Sequence, residues 1–207
     1  MKKILCYGDS NTFGYNPETG GRYDKNTRWS GILSYLLKEN YEIIEEGMNN
    51  RTAFFKNPEG LKQSGSEYLS IYLQDHKNID ICILNLGTND AQIFYPLDKE
   101  AAEKGLQNLV DVIKNINPQT KIIIVPPVKI TQDLFNSGFA LMFDKNSIEK
   151  IQNVMPVFEQ FARDNNYYYF DFNSLTSPSK FDGIHYTKES HQIIATKFAE
   201  YILSALI

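Results

Sequence analysis

The sequence of 207 residues predicts an α/β fold in which helices cover both faces of a doubly wound, five-stranded parallel sheet. Two observations carry this expectation. Short apolar runs of strand length alternate with segments of helical period along the chain. Turns rich in Gly, Asn, Asp and Ser follow several of those runs, where an open parallel sheet presents its strand ends.

The first strand, Lys2–Tyr7, is nearly continuous in apolar character, as for a strand buried on both faces. It runs into Gly8-Asp9-Ser10. Tyr15–Thr27, rich in Gly, Asn, Pro and charge, reads as a surface loop close enough to Ser10 to wall a substrate. Arg28-Trp29-Ser30-Gly31 leads into a helix over Ile32–Asn40, whose apolar positions Ile32, Leu33, Leu36 and Leu37 follow helical spacing. Tyr41–Glu45 is a second strand ending in the turn-rich Glu46–Thr52. Phe54–Gly65 is loop, and Ser66–His76 is helical through Tyr68, Leu69, Tyr72 and Leu73.

The third strand, Ile79–Leu86, stops at Gly87-Thr88-Asn89-Asp90. Asp98–Asn115 has an amphipathic period, with Ala101, Ala102, Leu106, Leu109, Val112 and Ile113 for its buried side, and Pro118 ends it. Lys121–Val125 is a β-branched fourth strand closed by Pro126-Pro127. Val128–Phe143 is too long for a minimal connection and reads as a lid or a subunit contact. A helix over Ser147–Asp164, a fifth strand over Tyr167–Phe172 and a last helix from Lys188 to the C-terminus complete the chain. No repeat or linker interrupts it, so residues 1–207 are expected to form one domain.

Composition narrows the function. A formal net charge of −4 without a long basic run argues against nucleic acid as a partner. No apolar run approaches the roughly 20 residues of a membrane helix. The apolar stretch after Lys2-Lys3 is shorter than the about 7–15 residues of a secretory segment, so a cytoplasmic protein is expected. Cys6 and Cys82 lie inside apolar strands and read as buried free thiols. Two cysteines and three histidines leave a zinc site almost no ligands. No metal and no cofactor is expected.

In a parallel sheet all strand ends meet on one edge, so Gly8-Asp9-Ser10, Gly47–Thr52, Gly87–Asp90 and Asp182-Gly183-Ile184-His185 are expected to converge. Together they hold the inventory for acyl transfer through a covalent intermediate. Ser10 is the candidate nucleophile. His185 is its candidate base, because an imidazole near pKa 6.5 can take a proton and return it. Asp182, three residues earlier, would fix the tautomer of that ring. The Ser10 backbone N–H, a backbone N–H of the second turn and the Asn89 side-chain amide would hold the oxyanion.

On these four blocks the chain resembles the SGNH (GDSL-type) hydrolases, in that family's order. The resemblance implies a three-layer α/β/α, flavodoxin-like fold and hydrolysis of esters or thioesters without metal. Arg28-Trp29-Ser30-Gly31 and Ile44-Glu45-Glu46-Gly47 with Arg51-Thr52 are similar to the aryl-esterase and acyltransferase branch. In that branch short acyl esters are accepted, some members pass the acyl group to alcohols, and some form homo-oligomers. Two departures are visible: Gly-Asp-Ser-Asn replaces Gly-Asp-Ser-Leu, and the usual oxyanion glycine aligns with Asn50, whose type tolerates unusual backbone angles.

The leading expectation is therefore a serine esterase for short-chain esters of small molecules, with acyl transfer to alcohols as an extension. A carbohydrate acetylesterase, and a thioesterase or lysophospholipase, are alternatives within the same chemistry. A flavodoxin-like anion-binding module is the non-enzyme alternative, but it leaves Asp182 and His185 without a role. Asn11, Tyr15 and Trp29 are candidates for the pocket lining, Trp29 also for the core. Asp9 and Asp90 are expected to shape their turns, and His76 and His191 to be surface or packing residues. Phe135, Phe139 and Phe143 could form a lid, a contact or core.

Overall fold

The computed structural model describes residues 1–206. Five parallel strands form one sheet in the order β2-β1-β3-β4-β5. They are β1 (Lys2–Gly8), β2 (Tyr41–Gly47), β3 (Ile81–Asn85), β4 (Lys121–Val125) and β5 (Tyr168–Tyr169). All five residues of β3 are buried, as the central place of the strand requires; four are apolar, and Asn85 at its end donates to Thr12 Oγ1 at 3.1 Å. The chain steps from β1 to β2 on one side and then crosses to β3 on the other. The topological switch therefore lies between the ends of β1 and β3, where ligands of open α/β sheets bind.

The helices follow from this path. A single turn, α1 (Ser10–Phe13), starts directly after β1, with the Asp9 carboxylate capping it through the Asn11 N–H. Helix α2 (Trp29–Leu36) packs against α6 (Lys188–Ala205). Helices α3 (Gly65–Asp75), α4 (Lys99–Ile116) and α5 (Lys145–Asp164) pack in succession on the other face. This is the three-layer α/β/α arrangement expected.

Boundaries differ in instructive places. Helix α2 begins at Trp29 rather than Ile32, because Trp29 and Ser30 are themselves buried on its inner face, and it ends at Leu36 rather than Asn40. In α4 the buried positions include Gly105 and Val110, while Ala101 and Val112 are half-buried. Strand β5 is two residues long, against an expected Tyr167–Phe172. Its start is tied to α5 by Tyr167 N–H donating to Ala162 C=O at 2.8 Å. Its end is cut by Asp171, whose carboxylate accepts the Asn173 N–H at 2.8 Å and opens a 3-10 turn over Phe172–Ser174. The last helix is described to Ala205, and its expected extension to Ile207 lies outside the described residues. None of the helices among the described residues is long and apolar enough to cross a membrane.

Candidate active site

The four turns meet at the C-terminal edge of the sheet. Ser10 Oγ lies 2.8 Å from His185 Nε2, and His185 Nδ1 lies 2.7 Å from Asp182 Oδ2. A carboxylate only accepts, so Nδ1 carries the hydrogen and Nε2 is left to accept from the serine hydroxyl. The other oxygen of Asp182, Oδ1, accepts the Ile184 and His185 amides at 3.1 and 3.0 Å. All three side chains are buried. Gly183 permits this tight turn: its φ is +67°, and a Cβ there would collide with the Leu134 backbone.

The second turn is held from below by Arg51, a fully buried guanidinium. It donates to the carbonyls of Glu46 (2.6 Å), Lys62 (2.8 Å) and Gly8 (3.1 Å), and lies 4.3 Å over the Tyr7 ring. The Arg51 carbonyl in turn accepts from Asn89 Nδ2 at 3.0 Å, which aims that amide into the site. Asn50 stands in the left-handed region at φ +59°, conformational space that suits glycine and that asparagine tolerates. Its side-chain oxygen accepts from Gln92 Nε2 at 2.7 Å and its carbonyl from Asn57 Nδ2 at 2.7 Å, so its peptide is fixed from both ends. The backbone amides of Ser10 and Asn50 donate to no acceptor among the described residues. Gly47 is required for another reason, since a Cβ on it would strike the backbone of Phe13.

A cavity of about 100 Å³ opens over Ser10. Asn49, Asn50 and Asn89 line its polar side, and Tyr15, Phe139, Met142, Phe143 and Ile184 its apolar side. The rings of Tyr15 and Phe139 stand 4.3 and 5.1 Å from the His185 ring. The segment 128–143 is thus a wall of this site, tied to it by Thr131 N–H donating to Gly183 C=O at 2.9 Å.

Tyr15 lines the cavity, whereas two other candidate pocket residues do not. Trp29 has no exposed surface; it packs against Phe172 and Phe198 and donates from Nε1 to Asn11 C=O at 3.0 Å. It is a core anchor. Asn11 is buried and spends its side chain on the backbone of Ile184 and Tyr186. Sequence reasoning missed Arg51 as the support of the second turn, and Gln92 and Met142 altogether. Only the position of Arg51 directly after a strand-end turn could have pointed to it.

Asp9 and Asp90 shape their turns. Asp90 accepts the amides of Ala53, Phe54 and Phe55 at 2.6, 2.8 and 3.3 Å. Burial pushes both carboxyls up to about 6, against the hydrogen bonds that oppose it. His191 is buried with Nδ1 accepting the Trp29 N–H at 3.2 Å, and burial pushes it down to about 3, so it packs as a neutral ring. Among the described residues no cluster of His, Cys, Asp and Glu could hold a metal ion.

Solved structures share this fold over nearly their whole length. An inhibitor-bound aryl esterase from M. smegmatis superposes with a TM-score of 0.90 at 28% identity, covering 100% of both chains. A carbohydrate acetylesterase family member from Sinorhizobium meliloti gives 0.89 at 28%, covering 99% of this chain and 98% of that one. A lipase/acylhydrolase from Enterococcus faecalis, at 18% identity, TM-score 0.68 and coverage of 99% and 96%, shares the fold. No curated protein sequence matches the chain significantly. The model of the GDSL-like lipase/acylhydrolase family matches residues 6–193, and with that match the chain belongs to this family of ester-hydrolysing enzymes.

Proposed function

We propose that the protein is a serine esterase for short-chain esters of small molecules, acting through an acyl-enzyme on Ser10. The observation that carries this reading is the continuous hydrogen-bonded line Asp182–His185–Ser10 opening onto a small, mostly apolar cavity. His185 Nε2 takes the Ser10 hydroxyl proton as Oγ bonds to the ester carbonyl carbon, and the carbonyl electron pair moves onto its oxygen. The Ser10 and Asn50 amides and Asn89 Nδ2 hold that oxyanion. Its collapse breaks the bond to the alcohol oxygen, which leaves with the proton from His185. Water then gives a proton to His185 and attacks the acyl carbon, and Ser10 leaves as a hydroxyl with that proton. Asp182 steadies the imidazolium in both halves.

Cavity size supports the short acyl chain. An engineered cavity of about 150 Å³ takes a benzene ring, so about 100 Å³ suits an acyl group of a few atoms. The acetylesterase named among the similar structures supports acetyl in particular. An alcohol in place of water would complete acyl transfer by the same steps. The reading extends to a cytoplasmic location, supported by the buried, unpaired thiols of Cys6 and Cys82.

The experiment is turnover of aryl esters of rising acyl length, with mass analysis of the quenched enzyme. Acetate and propionate esters should turn over fastest and leave one acyl group on the peptide carrying Ser10. Equal rates on long-chain esters would sink the short-chain reading, and an adduct elsewhere would sink the mechanism.

A further inference from the structure

Asn11 is tied to the loop that carries His185 more closely than its place beside Ser10 requires. Its side chain is 3% exposed, and both halves of its amide are engaged. Oδ1 accepts the Tyr186 N–H at 3.1 Å, and Nδ2 donates to the Ile184 carbonyl at 3.0 Å. Those two residues flank His185. The main chain of Asn11 is fixed as well: its N–H donates to Asp9 Oδ1 at 2.9 Å, and its carbonyl accepts from the buried Trp29 indole at 3.0 Å.

The Asp182–His185 turn is braced within itself. Asp182 bonds the amides and ring of its own turn, and Ser179 N–H donates to the His185 carbonyl at 2.7 Å. None of those bonds sets the turn against Ser10. Among the described residues, the hydrogen bonds joining residues 182–186 to residues 8–14 are the two from the Asn11 side chain and the Ser10–His185 bond itself. The last of these must break and re-form during turnover, so it cannot hold the register.

We infer that Asn11 is a positioning residue, a side-chain amide that pairs with the backbone on both sides of His185 and sets the distance from the imidazole to Ser10. The inference rests on the proposed relay, in which His185 takes the Ser10 proton. Proton transfer needs heavy-atom separations of about 2.6–3.2 Å, so loosening this link removes the geometry that the base requires. Leucine at this position has no atom able to make either bond.

The test is Asn11→Leu, measured alone and in a His185→Ala background, with Ser10→Ala as the reference. A misplacement of about 1 Å at a reacting centre costs on the order of 10²-fold. Asn11→Leu should lower kcat by roughly that factor with KM nearly unchanged. In the His185→Ala background it should do no further harm, because no base is left to misplace. Wild-type kcat in Asn11→Leu, or the same fractional loss in both backgrounds, would overturn the inference. Should Asn11→Leu fail to fold, Asn11→Asp keeps the acceptor for Tyr186 and loses the donor to Ile184. It also sets a carboxylate oxygen against that carbonyl, and should show a loss of kcat that again vanishes without His185. Turnover surviving in Ser10→Ala overturns the relay and this inference with it. An inactive Ser10→Ala beside a fully active Asn11→Leu overturns the positioning role alone.

Discussion

Ser10 Oγ and His185 Nε2 stand 2.8 Å apart across 175 positions of chain. If that bond is the path of the proton, either residue alone is indispensable and the two losses overlap. Ser10→Ala and His185→Ala should each lose up to about 10⁶-fold in kcat on a short-chain aryl ester, and the double variant little more. Independent, multiplying losses would separate the two residues into different roles.

Asn89 and Asn50 test the oxyanion in different ways. Asn89→Ala removes a donor that the Arg51 carbonyl aims, and should cost about 10²–10³ in kcat with a small change in KM. Asn50 acts through its backbone, so Asn50→Gly keeps the donor and the φ of +59° and should stay within about tenfold of wild type. Asn50→Val has the same amide but a β-branched side chain in left-handed space. It should lose about 1–3 kcal/mol of stability as well as activity. Equal activity in the glycine and valine variants would show that this peptide does not face the oxyanion.

The parts of this site that could be read from residue order are those set by topology. A strand ending in Gly8-Asp9-Ser10 and another ending before Asn89 must bring their turns to one edge if the sheet is parallel, and the short Asp182-to-His185 spacing brings its own two side chains together. The walls of the site could not be read so. Phe139 and Met142 reach it through 3-10 turns, whose placement depends on contacts such as Thr131 to Gly183 that leave no period in the sequence. Trp29, which residue order leaves open between core and pocket, belongs to the core, where its indole bonds the back of Asn11. Strand β5 is shorter than the strand-forming residues of Tyr167–Phe172 predict, because the local bond from Asp171 outweighs their propensity.

Phe139 closes the apolar side of a cavity of about 100 Å³ and lies against His185. Phe139→Ala opens that side without removing any group of the relay. It should shift the preferred acyl chain to longer esters, lowering kcat/KM for acetate while raising it for butyrate or hexanoate. Competition between two esters in one reaction reads this ratio directly. An unchanged ratio would place the acyl group on the opposite side of the cavity.

Asp9 makes stability depend on pH. Burial raises its carboxyl from the ordinary 3.8 to about 6, with the hydrogen bond from the Asn11 amide acting in the other direction. Between those two values the folded chain keeps a proton that the unfolded chain has released. The contribution of this group to stability is therefore fully present below about pH 4 and is lost as pH rises to about 6, above which it is constant. A displacement of that size is worth about 3 kcal/mol. Asn serves as an N-cap as well as Asp does, and Asp9→Asn carries no titrating group. Urea unfolding of both proteins between pH 4 and pH 7 should show the wild type losing about 3 kcal/mol relative to Asp9→Asn by about pH 6. A stability difference that stays constant across that range would mean that Asp9 ionises as readily inside the fold as in the unfolded chain.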